Sequence, residues 1–401
     1  MASPKLRFKE FDEDWSDSKL GQLIGISSAS RVFKEQWQTS GVPFFRTSDV
    51  VSISKNKENE KAYISLELFE ELSKKSGKIQ KGDLLVTGGG TIGIPYLVKN
   101  DEPLYFKDAD LLWMKSSGII DGSFLYNFFI SPKFREYLKS ISHTGTISHF
   151  TIEQAKVTPF QYPSKEEQTK IATFLSAVDE KISQLSQKLH LLGQYKQGMM
   201  QKLFSQQIRF KADDGSEFGE WEETTLGEIV QIKSGYSPSK YDLKSTGIIP
   251  FLKVEELNNC IKFQRQSRFY VNESSNDLVF KNSIVFPKRG AAILTNKVRI
   301  LEVNSLLDSN LMALIPSHKV FYEYLYYVIT FIELFKIADT SSIPQINNKH
   351  IEPYSLELPC LEEQTKIANF LSAIDHKIEV VAQQIEQAKT WKKGLLQQMF
   401  V

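Results

Sequence analysis

One segment occurs twice in this chain, and the repeat limits the folds that the chain can adopt. EEQTKIATFLSAVDEKI begins at Glu166, and EEQTKIANFLSAIDHKI begins at Glu362, 196 residues later. Residues 166–204 align with 362–400 without a gap, and 12 of the first 14 positions are identical. An internal repeat defines the architecture before any single motif does. The 401-residue chain is therefore expected to consist of two similar halves, each ending in the repeated segment.

The apolar residues of both copies recur at alternating steps of three and four, which is typical of a coiled-coil seam. The predicted seam residues are Leu175, Val178, Ile182, Leu185 and Leu189 in the first copy and Leu371, Ile374, Ile378, Val381 and Ile385 in the second. Lys196 and Lys392 interrupt the two seams, and Asp179 and Asp375 are candidate partners for these lysines. Each helix can pack on its own globular domain, or the two can pack on each other. We expect an antiparallel pair.

The segments that precede the two helices also resemble each other, although more weakly. LRFKEFDEDWSDSKLG from Leu6 matches IRFKADDGSEFGEWEETTLG from Ile208, and VPFFRTSDV from Val42 matches IPFLKVEEL from Ile249. KIQKGDLLVTGGG and DLVFKNSIVFPKRG each read as a strand that enters a loop. The apolar stretches SFLYNFFISPKFREYLKSI and FYEYLYYVITFIELFKIA read as core helices. These patterns predict the α+β class.

Composition and residue spacing limit the kinds of function that the chain can have. A formal net charge of +1 argues against a protein that coats nucleic acid by bulk charge, although a local basic groove is compatible with it. Cys260 and Cys360 have no metal-ligand spacing, and the six histidines form no HExxH or His–Cys cluster. The apolar run LYYVITFIELF is about half of the roughly 20 residues that span a bilayer. We expect a cytoplasmic protein without a metal site.

The glycine run TGGGTIG begins at Thr87 and invites comparison with a phosphate-binding loop. It lacks the Gly-Lys-Ser/Thr that follows in a P-loop, so phosphate binding of that kind is disfavoured. A plain turn and a close approach of the backbone to DNA both fit the run. The sequence leaves these two alternatives open.

Several blocks together resemble the specificity (S) subunits of type I restriction-modification systems over essentially the whole chain. They are KLRFKEFDEDWSDSKLG and FGEWEETTLGEI, SRV…GVPFFRTSDV and SPSK…GIIPFLKVEEL, and the paired EEQTKIA helices after Tyr162-Pro163 and Leu358-Pro359. In that family, two target recognition domains each read one half of a bipartite DNA site. The resemblance implies target recognition domains at 1–160 and 206–357, with repeated spacer helices at 161–205 and 358–401 packed as an antiparallel coiled coil about a pseudo-twofold axis.

The resemblance also implies a non-catalytic subunit that docks two copies of a methyltransferase (M) subunit, with restriction/translocase (R) subunits joining the complex. By resemblance to adenine methyltransferases, an enzyme acting alone would need an Asn-Pro-Pro-aromatic motif, and the sequence contains no NPP. No cofactor is expected in this chain, whereas S-adenosylmethionine is expected on the partner methyltransferase. A self-contained DNA-modifying enzyme and a protein-interaction scaffold without DNA binding are the alternatives.

DNA contacts are expected in loops that carry Arg, Lys, Ser, Thr, Asn and Gln, because such side chains bind base edges and phosphates. Candidates in the first domain are Arg31, Arg46, Ser48, Thr91, Lys107, His143, Thr146, Ser148 and His149. Candidates in the second are Lys233, Tyr236, Lys253, Lys288, Arg289, Asn310, Gln345 and Asn347. Arg46, Lys253 and the pair Lys288-Arg289 are best placed, because they follow apolar runs where a strand enters a loop.

Overall fold

The computed structural model describes residues 3–107, 110–115, 118–141, 149–273, 275–340 and 343–400. The chain divides into two compact units. Unit 1 comprises Met1–Ser186 with Ala382–Val401, and unit 2 comprises Gln187–Val381. Each unit therefore contains one globular domain and a part of each repeated helix.

Short strands and helices alternate in the domain of unit 1. Its strands are β1 (Ser16–Lys19), β2 (Gly25–Ser27), β3 (Val42–Phe45), β4 (Ala62–Ile64), β5 (Leu84–Thr87), β6 (Pro95–Leu97), β7 (Tyr105–Phe106), β8 (Leu111–Lys115) and β9 (Pro159–Tyr162). Its helices are α1 (Leu20–Leu23), α2 (Thr47–Ser54), α3 (Leu66–Ser76), α4 (Gly122–Ile130), α5 (Pro132–Ser140) and α6 (Ile152–Lys156), and α7 (Lys165–Phe204) follows.

Two sheets and a strand pair organise this domain. An antiparallel sheet has the order β2-β8-β5-β6, and in a second sheet β3 lies between antiparallel β4 and parallel β7. β1 pairs with β9, which brings the two ends of the domain together beside α7. The main core packs α4 and α5 against the first sheet and the start of α7, and its members include Phe124, Phe128, Phe134 and Leu175.

The domain of unit 2 repeats this pattern. Its strands are β10 (Glu222–Thr225), β11 (Val230–Ser234), β12 (Ile249–Leu252), β13 (Phe263–Gln264), β14 (Tyr270–Val271), β15 (Ile284–Pro287), β16 (Arg299–Leu301), β17 (Leu306–Leu307), β18 (Leu311–Pro316) and β19 (Ser355–Leu358). Its helices are α8 (Leu226–Ile229), α9 (Tyr322–Ile332) and α10 (Asn348–Ile351), and α11 (Leu361–Met399) follows.

The strand pairing in unit 2 matches that in unit 1, except that β13 adds a parallel fifth strand beside β16. One sheet has the order β11-β18-β15-β16-β13, and in another β12 lies between antiparallel β14 and parallel β17. β10 pairs with β19 as β1 pairs with β9. The predicted alignments of VPFF with IPFL and of LLVT with IVFP therefore join equivalent strands. The α+β class and the internal repeat are both confirmed.

The two long helices pack on each other in opposite directions. In unit 1, the start of α7 contacts the end of α11: Phe174 and Trp391 lie 6.0 Å apart between ring centroids. In unit 2, the end of α7 and the start of α11 share one core, which includes Leu203 and Leu371. The predicted antiparallel pair is therefore confirmed.

Burial along the predicted seam follows this packing. Leu175, Val178, Leu185, Leu371, Ile374, Val381 and Ile385 are buried, and Ile182, Leu189 and Ile378 are half-buried. The lysines that interrupt the seam pair with the aspartates named above. Lys392 Nζ lies 2.6 and 2.7 Å from the two carboxylate oxygens of Asp179, and Lys196 Nζ lies 2.5 Å from Asp375 Oδ1. Each side chain crosses from one long helix to the other, so the ion pairs favour one register.

The identical EEQ sequences hold each domain on its long helix. Glu167 is 1% exposed and accepts hydrogen bonds from Arg7 Nε (2.8 Å) and Nη2 (2.7 Å). Gln168 is also buried: its Oε1 accepts from Asp121 N (2.9 Å), and its Nε2 donates to Ile119 O (3.1 Å). These contacts join the N-terminal segment and the start of α4 to α7.

The second copy makes the same contacts in unit 2. Glu363 is 0% exposed and accepts from Arg209 Nη2 (2.8 Å), while Gln364 accepts from Phe321 N at the start of α9 (2.7 Å). Two domains with different sequences thus dock on the same pair of polar residues. Docking of a domain on each long helix therefore explains, from contacts within the chain, why the two segments are identical.

The two apolar helical stretches differ from their prediction as continuous helices. The first divides into α4 and α5, because Ser131 caps the next helix and Pro132 occupies its first turn, where the missing N–H is not needed. The second ends at Glu333, whose φ of +59° stops α9 before a short 3-10 turn at Leu334–Lys336.

Candidate nucleic-acid interface

Three chain segments meet at the end of β5 in unit 1. Gly88 N donates to Asp110 O (2.8 Å), in the loop before β8, and Gly88 O accepts from Phe150 N (2.7 Å), in the loop before α6. Gly89 and His149 form an isolated antiparallel bridge. We call this arrangement the junction of unit 1. It brings residues between positions 88 and 150 together at the end of β5.

Unit 2 builds the same junction at the end of β15. Lys288 N donates to Asn310 O (2.9 Å), and Lys288 O accepts from Ile346 N (2.9 Å). Arg289 and Gln345 form the isolated bridge that Gly89 and His149 form in unit 1. Four of the residues predicted from sequence as DNA contacts meet here through backbone pairing: Lys288, Arg289, Asn310 and Gln345.

The two junctions also explain the glycine run. Gly90 has a φ of +67° and Gly290 has a φ of +77°, so the third consecutive glycine of the run has the same left-handed backbone as the glycine at the equivalent position of unit 2. A Cβ built on Gly89 would lie 3.0 Å from Asp110 Oδ1. The turn alternative therefore accounts for Gly90, and close packing against Asp110 accounts for Gly89.

Other predicted residues surround the junction of unit 1. His149 and Thr91 are exposed, and Thr91 O accepts a hydrogen bond from Thr87 Oγ1 (2.5 Å). Lys107 Nζ lies 2.5 Å from Asp110 Oδ2. Arg31 is exposed with its guanidinium 5.6 Å from the ring centroid of Phe33, which is not a residue of the junction. His143, Thr146 and Ser148 lie outside the described residues.

Arg46 is held in place by a neighbouring carboxylate. Its Nε and Nη2 donate to Asp49 at 2.9 and 3.2 Å, and Nη2 also donates to Glu60 O. The hydrogen bonds with Asp49 raise the pKa of Arg46. Burial by itself would raise the pKa of Asp49, but the hydrogen bonds from Arg46 and Asn59 lower it. Arg46 therefore stabilises this loop in addition to any contact with DNA.

The four remaining predicted residues of unit 2 are Lys233, Tyr236, Lys253 and Asn347, and Lys233 differs from the other three. Lys253 Nζ lies 3.8 Å from the ring centroid of Phe269, Tyr236 is 43% exposed and pairs with Asp308 in an isolated bridge, and Asn347 Oδ1 accepts from Gln345 Nε2 (2.9 Å). Lys233 is different, because its Nζ donates to Asn276 O (3.0 Å) and Leu278 O (2.9 Å). These two bonds give Lys233 a structural role within its domain.

Sequence reasoning missed the residues that support these side chains. Asp110 pairs with Lys107, Thr47 Oγ1 donates to Asp110 O (3.3 Å), and Ser48 Oγ accepts from Asn59 Nδ2 (3.2 Å). The available signal was the position of Asp110 directly before the apolar run LLWM, which corresponds to Asn310 before LMAL. Only the pairing of strands shows that these residues meet the glycine run.

The described part of the chain contains no helix that is both long and apolar enough to cross a membrane. Among the same residues, no group of three or more His, Cys, Asp or Glu side chains could hold a metal ion. The junctions are instead lined by glycine, amide, hydroxyl and cationic groups, and the Asp110 carboxylate of unit 1 is paired with Lys107. Groups of this kind bind nucleic-acid phosphates and base edges.

Comparison with known proteins identifies relatives along nearly the whole chain. The chain is 26% identical to the MjaIX type I restriction enzyme specificity subunit of Methanocaldococcus jannaschii, over 96% of this chain and 93% of the relative. It is 25% identical to the putative MjaX specificity subunit of the same organism, over 98% and 94%.

Solved structures share the fold. The type I restriction-modification S subunit from M. genitalium aligns with a TM-score of 0.59 and 18% identity, covering 100% of this chain and 99% of that one. A chain from a structure of type I restriction-modification complex assembly aligns with a TM-score of 0.60 and 16% identity, covering 96% and 97%. The family model described as the type I restriction modification DNA specificity domain matches residues 12–192 and 219–390. Since these two matches span most of both halves, the chain belongs to the family of type I restriction-modification DNA specificity subunits.

Proposed function

We propose that each unit reads one half of a bipartite duplex DNA site with its junction and the loops beside it. The observation that carries this proposal is the construction of one backbone junction twice with different side chains: Gly88, Gly89 and His149 in unit 1, and Lys288, Arg289 and Gln345 in unit 2. One framework with two sets of side chains suits a reader of two different half-sites. The predicted DNA residues serve as base and phosphate contacts around these junctions.

We further propose that the long helices set the gap between the half-sites and dock partner subunits. Tyr195 and Trp391 occupy the same position in the two copies of the repeat and are 51% and 53% exposed. Exposed aromatic residues are favoured anchors at protein interfaces. Two equivalent anchors suit two copies of one methyltransferase subunit, and restriction/translocase subunits would join that complex.

In this proposal the chain performs no catalysis of its own. S-adenosylmethionine binds to the partner methyltransferase, which modifies adenine within the site that this chain selects. The absence of an NPP motif from the sequence supports a chain that selects the site and a partner that catalyses methylation.

Methylation mapping tests the proposal. The chain is expressed with its cognate modification subunit, genomic DNA is analysed by single-molecule sequencing, and a host that lacks only this chain is the control. We expect adenine methylation at a new, asymmetric, two-part sequence. An assembled complex that gives no new methylation and leaves duplex DNA unbound would identify a protein scaffold, whereas methylation by this chain without a partner would identify a self-contained enzyme.

A further inference from the structure

Equivalent positions of the two junctions carry different charge. Gly88 and Gly89 in unit 1 correspond to Lys288 and Arg289 in unit 2, because both pairs precede the left-handed glycine and make the same backbone hydrogen bonds. Lys288 is half-buried and Arg289 is exposed. Unit 2 thus places two adjacent cations where unit 1 has no side chain.

Among the described residues, neither Lys288 nor Arg289 forms an ion pair with a carboxylate. Other cations of this unit do have such partners: Lys240 pairs with Asp277 (2.5 Å), Lys262 with Glu323 (2.6 Å) and Arg268 with Glu256 (2.7 Å).

The charge environment of Lys288 agrees with this geometry. Burial and the positive charge of Arg289 lower the pKa of Lys288, and the negative charge of Asp308 opposes them only in part. Gln345 and Asn310, which complete the junction, are uncharged. Two like charges beside each other repel, and a bound anion would remove this repulsion.

Unit 1 shows the opposite arrangement. Its cation at the junction, Lys107, pairs with Asp110 at 2.5 Å, so the two charges cancel. Gly89 is buried between Asp110 and His149, where a Cβ would lie 3.0 Å from Asp110 Oδ1 and 3.9 Å from His149 Cδ2. This ion pair leaves no excess charge at the junction, and the exposed Gly90 permits close approach of a ligand backbone.

We infer that Lys288 and Arg289 form a phosphate site for the DNA backbone, and that unit 2 supplies the larger electrostatic share of DNA binding. Unit 1 instead meets its half-site through a neutral surface shaped by glycine. This inference rests on the proposed function, because it assigns unequal roles to two junctions that both contact DNA. A phosphate oxygen accepts hydrogen bonds from both lysine and arginine, and guanidinium can bind it with two.

The salt dependence of DNA binding measures such contacts directly. Each phosphate contact releases counterions and steepens the plot of log K against log salt by about 0.9 for duplex DNA. Lys288→Gln with Arg289→Gln should therefore make the slope shallower by about 2 and weaken binding at low salt. Asp110→Asn should steepen the slope by about 1, because it leaves Lys107 without a neutralising charge.

The test uses the full-length chain and a fluorescein-labelled 30-base-pair duplex of arbitrary sequence (a length of about three helical turns), titrated by fluorescence anisotropy across a series of KCl concentrations. Lys211→Gln is the matched control, because Lys211 is an exposed cation of unit 2 that already pairs with Glu217 (2.6 Å). Arg289→Gln alone is included in case the double variant unfolds, since Arg289 is exposed.

Three outcomes are separable. A shallower slope for the Lys288 and Arg289 variants, with an unchanged slope for Lys211→Gln, supports the inference, and a steeper slope for Asp110→Asn adds an effect in the opposite direction that damage to the fold would not produce. Duplex binding with an unchanged slope in all variants overturns the inference. If the unaltered chain binds no duplex DNA, either alone or assembled with its modification subunit, the proposed function itself fails.

Discussion

Removal of Arg209 should destabilise unit 2 more than any exposed charge change in the same region. Glu363 is 0% exposed and accepts hydrogen bonds from Arg209 Nε (3.2 Å), Arg209 Nη2 (2.8 Å) and Trp221 Nε1 (3.0 Å). Arg209→Ala leaves a buried carboxylate with only the tryptophan donor. Breaking a buried ion pair from one side costs about 3–5 kcal/mol. Because the arginine side chain is 21% exposed and water can reach the vacated space, we expect about 3 kcal/mol.

A second substitution separates loss of the ion pair from loss of packing. Arg209→Ala combined with Glu363→Gln removes the unpaired charge, so the double variant should be more stable than Arg209→Ala alone by about 1–2 kcal/mol. Lys211→Ala, which breaks an exposed pair with Glu217, should cost less than about 1 kcal/mol. Arg7→Ala is the matched change in unit 1, where Glu167 is 1% exposed.

Urea unfolding followed by circular dichroism gives the free energies, and amide hydrogen exchange gives their location. Faster exchange should be confined to the start of α11 and the adjoining domain in Arg209→Ala, and to the start of α7 in Arg7→Ala. The reasoning is refuted if Arg209→Ala costs no more than Lys211→Ala, or if adding Glu363→Gln gives no recovery. Either result would mean that the identical EEQ segments are not maintained by domain docking.

Three further predictions concern recognition, the helix pair and pH. Arg46→Ala should relax or abolish recognition of one half-site only, as read by methylation mapping; equal loss at both half-sites would assign its effect to folding or assembly. Ile182→Asp with Ile378→Asp places carboxylates in half-buried seam positions, at a cost on the order of 1–3 kcal/mol each, and should impair modification while leaving the preferred bases unchanged; altered bases within a half-site would contradict a spacer role. Asp49→Asn should destabilise unit 1 at neutral pH. Since the folded-state pKa of Asp49 lies below its ordinary value of 3.8, its stabilisation is present above that pH and is lost as pH falls through the folded pKa. Urea unfolding should therefore show a gap between Asp49→Asn and the unaltered chain that shrinks below about pH 4, and a constant gap would disprove the role of this ion pair.

The repeat made much of the architecture predictable. The steps of three and four between apolar residues predicted two long helices, and the observed α7 and α11 contain 40 and 39 residues. Periodicity is a local property of the sequence, so it survives without knowledge of the fold. The aspartate partners of Lys196 and Lys392 could also be named in advance, because a lysine in an apolar seam needs a carboxylate within reach.

The candidate site was predictable only in part. Lys288, Arg289, Asn310 and Gln345 were chosen separately as loop residues, and nothing in the sequence placed them at one junction. The sequence also gave no sign that Arg46 is engaged by Asp49, or that Lys233 bonds to two backbone carbonyls. Such contacts depend on how loops close between strands that are distant in sequence.

The amino-acid sequence by itself determined the two halves and the long helices, because repetition and apolar spacing are local properties of the chain; the antiparallel packing that it led us to expect was decided by tertiary contacts. Tertiary structure decided what the identical EEQ segments hold, which cations are neutralised and which are not. Lys107 and Lys288 look alike in the sequence, yet one pairs with Asp110 and the other forms no ion pair among the described residues. Charge pairing depends on distances of a few ångströms between segments far apart in the chain, and those distances exist only after the strands have paired.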